Sequence, residues 1–371
     1  MNRSQRLLLR IDKSMKVLEV GPAFSPVVAK SDGWNAWAVD HTDQEGLRQK
    51  YRDDPTVDTD RIGPVDFVWQ GGALDEAIPA THHGSFDACI ASHAIEHMPD
   101  PISFYQSLDK LCRMTGVIAL AVPDKRFCFD YFRPVSMTSD FILAHLCRRP
   151  RHSKKTAFEH TAYTVSGDGA AAWGQHPVGE LQFYSNLETA FRLLTTTEES
   201  GAAPYVDYHG WCYTPSSFKL IMLELNVLGL IDWVVDVDYP AEGCEFIVLL
   251  KKGRLQFPSD RALQDVRRTL AKGILADIAE QHRYASQSEP EPSKPEPQTV
   301  PVPSPMEPPP PAADDLVGDV AVLQQQYRDL AERLDRQEAR LAKIRAKSKM
   351  IKRLLRPVRA IAGISRKDRT P

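Results

Sequence analysis

The sequence predicts an α/β protein organised around a largely parallel sheet, and three observations predict it. Lys16-Val-Leu-Glu-Val-Gly-Pro is a short apolar run that ends in a glycine turn. Nineteen residues after Gly21, a second short run, Trp37-Ala38-Val39, ends in Asp40-His41. Later, Gly116-Val-Ile-Ala-Leu-Ala-Val122 is almost continuously apolar, as a parallel strand covered on both faces must be.

The first two runs bracket a βαβ unit. That unit sets the glycine turn and the acid side by side at the carboxyl edge of the sheet. There the carboxylate can accept hydrogen bonds from both hydroxyls of a ribose, so the residues point to an adenosine-containing cofactor. Ala23 and Ser25 narrow the choice, because they stand where a dinucleotide binder places glycine to let backbone approach a pyrophosphate. S-adenosylmethionine has no pyrophosphate, so Ala23 costs it little and argues against NAD and FAD. Gly21 serves a tight turn. Pro22 and Pro26 suit a bent loop leading into a helix.

The following segments continue the alternation. Residues 65–69 read as a third strand, and Gln70-Gly71-Gly72-Ala73-Leu74 as the loop after it. Residues 85–101 read as a fourth strand and a turn. Pro101 opens a helix that carries Ile102, Tyr105, Leu108 and Leu111 at helical spacing. In order and spacing, the motifs KVLEVGP, VDH, SFDACIASHAIEHMPDP and GVIALAVPDKRF resemble the class I S-adenosylmethionine-dependent methyltransferases. The similarity covers roughly residues 15–125 and resumes at 214–252. There, Thr214-Pro215-Ser216-Ser217-Phe218 opens a helix to about Gly229, and strands at 231–238 and 244–250 form a hairpin. The resemblance implies a Rossmann-like, seven-stranded methyltransferase sheet with a terminal antiparallel hairpin. It also implies S-adenosylmethionine as cofactor, with Glu19, Gly21, Asp40, His41, Gly72, Leu74, Ser92 and His93 around it. The VPDKRFCFD stretch and the long insert are similar to a bacterial subgroup found with cell-surface polysaccharide assembly.

The 371 residues divide by composition. Residues 1–253 form the methyltransferase domain, with a cap inserted at about 124–213. Residues 254–285 form a helix packed on it, marked by Leu263, Val266, Leu270, Ile274 and Ile278. Residues 286–313 hold eleven prolines between Pro290 and Pro311 and read as a disordered linker, because such a composition cannot bury a core. Residues 314–356 carry a heptad pattern, with Val320, Tyr327, Leu334 and Leu341 at one seam position and Leu323, Leu330, Gln337 and Ile344 at the other. This reads as a coiled coil that makes the protein a homo-oligomer. Residues 357–371 are a basic tail.

From Arg340 to the end there are twelve Lys or Arg and one acid. The rest of the chain therefore carries −14 of a net −3. An acidic body argues against a nucleic-acid substrate, and the basic segment suits peripheral contact with an anionic membrane surface. Six scattered cysteines with no CxxC pair, and no signal peptide or spanning segment, place the protein in the cytoplasm.

The insert interrupts the sheet where ligands bind, so it is expected to select the acceptor. It combines Arg126, Arg133, Arg148, Arg149 and Arg151 with aromatics that include Trp173, Tyr205, Tyr208 and Trp211. Basic groups and aromatic faces suit a sugar or glycan bearing phosphate or carboxylate, methylated on oxygen. Its histidines show no HxxxH or HxH pair, so no metal is expected. A hydroxyl acceptor must lose a proton during attack. His97, after the fourth strand, is the candidate base, with His160 and His209 in competition, while Glu96 is expected to cap the next helix. The alternative is a non-catalytic methyltransferase-like scaffold that works through its coiled coil.

Overall fold

β1 (Val17–Val20), β2 (Ala36–Asp40), β3 (Phe67–Val68), β4 (Phe86–Ser92) and β5 (Cys112–Pro123) run parallel in the computed structural model. Next along the chain come a small hairpin, β6 (Val165–Gly167) and β7 (Leu181–Phe183), and then two long strands, β8 (Trp233–Glu242) and β9 (Glu245–Lys252). β9 pairs antiparallel with both β5 and β8, giving a seven-stranded sheet in the order β3-β2-β1-β4-β5-β9-β8. This is the expected methyltransferase Rossmann-like fold. Strand order reverses between β1 and β4, so a crevice opens over their carboxyl ends. The structure describes residues 1–176 and 179–286. The linker, coiled coil and basic tail expected from the sequence lie outside the described residues.

The helices are α1 (Arg3–Leu7), α2 (Gln44–Lys50), α3 (Leu74–Ala77), α4 (Pro101–Leu111), α5 (Thr138–Leu146), α6 (Lys154–Tyr163), α7 (Leu187–Thr196), α8 (Pro215–Val227) and α9 (Asp260–Ser286). One sheet face presents Leu18, Val20, Cys89, Ala91, Ile118, Leu120 and Val248 to Tyr105, Leu108, Phe218 and Ile221 of α4 and α8. α4 starts as anticipated, with Pro101 at its first position and Asp100 accepting the Ser103 N–H at 3.0 Å. Asp100, not Glu96, is therefore the cap. α8 is capped by Thr214 and ends at Val227.

The other face is lined by smaller side chains, among them Ala36, Ala88, Ala119 and Ala121, under Leu7 and Ile11. The helix expected after Gly21 is not there. Between β1 and β2 the chain makes only a 3-10 turn, Lys30–Asp32, which ends at Gly33 with φ +79°. Two prolines shorten any helix that could start. The Glu19 carboxylate then takes the Val27 and Val28 N–H groups at 2.6 and 3.1 Å, so those amides serve a side chain instead of a helical ladder.

The insert is stitched to the sheet at its root by a bridge between Asp124 and Tyr213. Buried Arg126 forks onto Asp124 at 2.9 and 2.6 Å. α9 makes contacts with the rest of the described residues. Lys125 Nζ donates to Gln281 Oε1 at 2.8 Å, Gln281 Nε2 to the Tyr131 carbonyl at 2.7 Å, and Ser216 N to Asp277 Oδ2 at 3.1 Å. All six cysteines are free thiols.

Candidate active site

A cavity of about 180 Å³ lies at the carboxyl ends of β1, β2 and β4. The register brings its parts together. Val20 sits beside both Val39 and Ala91, so Gly21 and Asp40 leave the sheet at one level and His93 follows one residue later. Gly21 N donates to the Val39 carbonyl at 2.8 Å, and Gly21 has φ +66°. Ala23 follows at φ +47°, so the loop keeps a glycine-like turn although the residue is alanine. That conformation costs an L-residue roughly 1–2 kcal/mol. The Ala23 N–H, held by Asp40 Oδ2 at 3.0 Å, helps to offset it.

Asp40 is almost fully buried, with its carboxylate at the cavity wall. Oδ1 accepts from His41 N at 2.8 Å and lies 2.6 Å from His41 Nδ1. A carboxylate offers about four acceptor positions, so one remains on Oδ2. A second opens on Oδ1 when the partly exposed His41 ring turns away. Trp69, Met98, Pro99 and Tyr51 supply flat or apolar wall beside it. These residues fit an adenosine moiety: an acid with one free acceptor position and a second that the His41 ring can vacate, next to a wall that can take a base.

At the β4 edge, His93 is a second non-glycine residue in the left-handed region, at φ +50°. Its N–H donates to the Ala121 carbonyl, and its Nε2 meets Glu245 Oε2 at 2.7 Å. Arg3 forks onto Glu245 at 2.6 and 3.0 Å. Burial opposes charge on His93, but Glu245 and Glu96 outweigh it and raise its pKa. His97 behaves alike: burial is overcome by Asp207, whose Oδ1 lies 2.9 Å from Nδ1, and by Glu96. In turn, His97 and Lys50 hold the half-exposed Asp207 below the usual carboxylate range against its partial desolvation.

The structure places five of the expected residues, Gly21, Asp40, His41, His93 and His97, on this cavity. The other four lie elsewhere. Glu19 points to the opposite side of β1, where it pins the 27–28 loop, since alternate strand residues face opposite ways. Leu74 is fully buried in the core. The Gly72 carbonyl accepts the Trp69 indole N–H at 3.2 Å, and it is Gly71 that lines the cavity, with φ +111° and the Arg151 guanidinium against it. Ser92 Oγ accepts from Arg3 Nη2 at 2.6 Å.

The insert contributes Tyr205 and Asp207 to the cavity, which sequence reasoning did not single out as cofactor-side residues. The strict division between a sheet that holds cofactor and a cap that selects acceptor is thereby corrected. Trp211 is a brace: it is buried, donates Nε1–H to the Met98 carbonyl at 2.6 Å and packs on Phe141. His209 stands behind the cavity, its Nδ1 2.5 Å from Asp130 Oδ2, and Arg133 clamps Asp130 from the other side at 2.7 Å. Burial and the neighbouring His209 hold His160 down to about 4, which makes it a weak base.

No protein-family model matches the chain, and no curated protein matches it in sequence. Solved structures do match its shape. The CcbJ methyltransferase from Streptomyces caelestis is 11% identical, with 68% of this chain and 97% of that one covered and a TM-score of 0.36. The 1,6-didemethyltoxoflavin N1-methyltransferase of Burkholderia thailandensis, solved with S-adenosylhomocysteine, is 11% identical over 68% and 76%, with a TM-score of 0.32. A Rhodobacter sphaeroides protein described as a zinc-dependent alcohol dehydrogenase is 9% identical over 67% and 88%, with a TM-score of 0.37. The fold assignment rests on the chain's own strand order and terminal hairpin.

Proposed function

We propose that the protein is an S-adenosylmethionine-dependent methyltransferase that methylates a hydroxyl oxygen of a sugar or cell-surface glycan intermediate. The observation that carries this reading is the meeting of Asp40, the Gly21–Ala23 turn and His93 at one cavity on a sheet of this order. In it, Asp40 holds the ribose hydroxyls, Trp69, Tyr51 and Met98 flank the base, and the turn admits the cofactor's backbone-like end. The bound cofactor supplies the methyl electrophile. The chain's part is to align the acceptor and to take up its proton, for which His97, oriented by Asp207, is the candidate. Aromatic Tyr205 lines the cavity beside the His41 ring, and Tyr205 and Tyr208 both pack near His152, an aromatic rim that supports a ring-shaped acceptor. Calorimetric titration of the full-length protein with S-adenosylmethionine tests the cofactor. Transfer of labelled methyl to a panel of sugars and lipid-linked glycans tests the acceptor. The absence of saturable heat favours the scaffold reading instead.

We further infer, from sequence, that residues 314–356 make the protein a homo-oligomer and that the basic segment brings it to an anionic membrane surface. Among the described residues no helix is long and apolar enough to cross a membrane. Equal flotation of the full chain and a 1–314 truncation with anionic vesicles removes the membrane contact. An unchanged oligomeric mass on that truncation removes the coiled coil.

A further inference from the structure

We propose that Glu96, His97 and His209 form a binding site for a divalent transition-metal ion of the zinc type, just behind the cavity wall at His97. The three side chains offer donor atoms that lie within 4.8 Å of one another. Glu96 is 0% exposed, and neither of its carboxylate oxygens has a hydrogen-bond partner. A buried carboxylate in that condition is rare, because it has given up water without replacement. The two imidazoles are turned toward it, His97 Nε2 at 3.7 Å and His209 Nε2 at 4.0 Å from Glu96 Oε1. His93 Nδ1 stands 3.7 Å from the same oxygen on the cavity side.

These separations are too long for hydrogen bonds and close to what a shared ion requires. Nitrogen and oxygen ligands about 2.0–2.2 Å from zinc sit roughly 3.4 Å apart in a tetrahedron. Small side-chain rotations would close the difference. The far nitrogens support the same reading. His209 Nδ1 is hydrogen-bonded to Asp130, while His97 Nδ1 lies 2.9 Å from Asp207 Oδ1 without hydrogen-bond geometry, so both rings have a carboxylate nearby and turn Nε2 toward Glu96, and His209 is the one held firmly. A carboxylate behind each ligating histidine is the usual outer layer of a metal site. Two imidazoles and one carboxylate suit zinc or cobalt better than magnesium or calcium, which prefer oxygen.

The scaffold holds the donors in place. The Glu96 carbonyl accepts the Gly210 N–H at 2.7 Å, tying the turn after β4 to the returning insert. The sequence reading expects no metal because it looks for paired histidines. The insert, where those pairs are sought, supplies only His209; the remaining donors sit outside it in His93-Ala-Ile-Glu-His97, where His93 and His97 do have HxxxH spacing. The site's use rests on the methyl-transfer reading. An ion reached from the cavity would hold the acceptor hydroxyl oxygen and lower its pKa. With its Nε2 on the ion, His97 no longer serves as the base: the proton leaves to solvent, the oxygen bonds to the methyl carbon, and the sulfur takes back the C–S electron pair.

Full-length protein, stripped with chelator, is titrated with Co²⁺ while its visible d–d absorption is followed, and then with Zn²⁺. One Co²⁺ per chain, displaced by Zn²⁺, is expected. Affinity should fall about 100-fold or more in Glu96→Gln and His209→Ala, and about 10-fold in Asp130→Asn. Partly exposed His97 provides a variant, His97→Asn, that spares the core and should also lose the spectrum. Absence of a cobalt spectrum in the wild type, or an unchanged spectrum and affinity in Glu96→Gln and His97→Asn, overturns the proposal. Calorimetry with S-adenosylmethionine separates the two readings. Cofactor heat without a cobalt spectrum removes the metal and keeps the pocket. A cobalt spectrum without cofactor heat supports the metal and removes the methyl-transfer reading.

Discussion

Asp40 Oδ2 accepts the backbone N–H of Ala23 at 3.0 Å, so the acid at the end of β2 also holds the turn after β1. One carboxylate thus has two tasks, and they separate by substitution. Asp40→Ala removes the ribose acceptor and frees the turn, so S-adenosylmethionine affinity should fall by about 2 kcal/mol or more. Ala23→Gly should keep the turn and the affinity. It relieves the left-handed conformation and should raise stability by up to about 1 kcal/mol, less what glycine gains in the unfolded chain. Calorimetry and urea denaturation of the two variants check this. Equal cofactor affinity in folded Asp40→Ala protein would remove Asp40 from the site.

Asp207 brings the insert into the cofactor cavity. Asp207→Ala takes away the carboxylate facing His97 and Lys50. Cofactor affinity should drop about 3–10-fold and methyl transfer further. Lys155→Ala, on the exposed side of α6 and paired with Glu159, should change neither. An Asp207→Ala protein with normal cofactor binding and reduced transfer would restore the separation between sheet and cap that the sequence suggests.

Trp211 marks a second place where burial decides the outcome. From sequence it reads as an acceptor-side aromatic whose loss leaves cofactor binding near normal. In the structure it fills the core between Phe141 and the Met98 carbonyl. Trp211→Ala should therefore cost about 3–5 kcal/mol through the cavity left behind, and it should disturb Met98 at the cofactor wall. Thermal unfolding tests it: a shift within the noise of the wild-type transition would show that the indole is not packed as described.

What is legible in the sequence follows from what leaves a local trace. β1, β4 and α4 can be read to within a residue or two, because short apolar runs and a proline after Asp100 are local signals. Gly21, Asp40, His41 and His93 come together on one cavity because they sit at strand ends, where the fold brings chain together. Glu19 is misplaced because one residue along a strand reverses its face. Residues 65–69 shrink to a two-residue edge strand, where the Asp66 side chain takes the Ala38 N–H and pairs with Lys30. Asp207 leaves no trace, and His209 is read only by its residue type as a competing base, because an irregular return segment has no period. Only tertiary contact shows that they meet His97 and Glu96.

Glu19 gives the pH dependence that isolates best. Burial pushes its carboxyl up from 4.5 to about 7, although the Val27 and Val28 N–H groups pull the other way. The folded chain therefore binds a proton more tightly than the unfolded chain does between these values. The sign follows: stability is greatest below about 4.5, falls as pH rises through the interval, and levels above the folded value. A shift of that size corresponds to about 3 kcal/mol in all, of which about 2–3 kcal/mol falls between pH 5 and 8. In Glu19→Gln the titration is gone. The amide also meets two backbone donors with one acceptor oxygen, so this variant should be the less stable protein at pH 5. The gap between wild type and variant should then narrow, or reverse, by pH 8. Urea denaturation at pH 5, 6, 7 and 8 measures it, and a gap that stays constant across that range would show that Glu19 is ionised throughout in the folded protein.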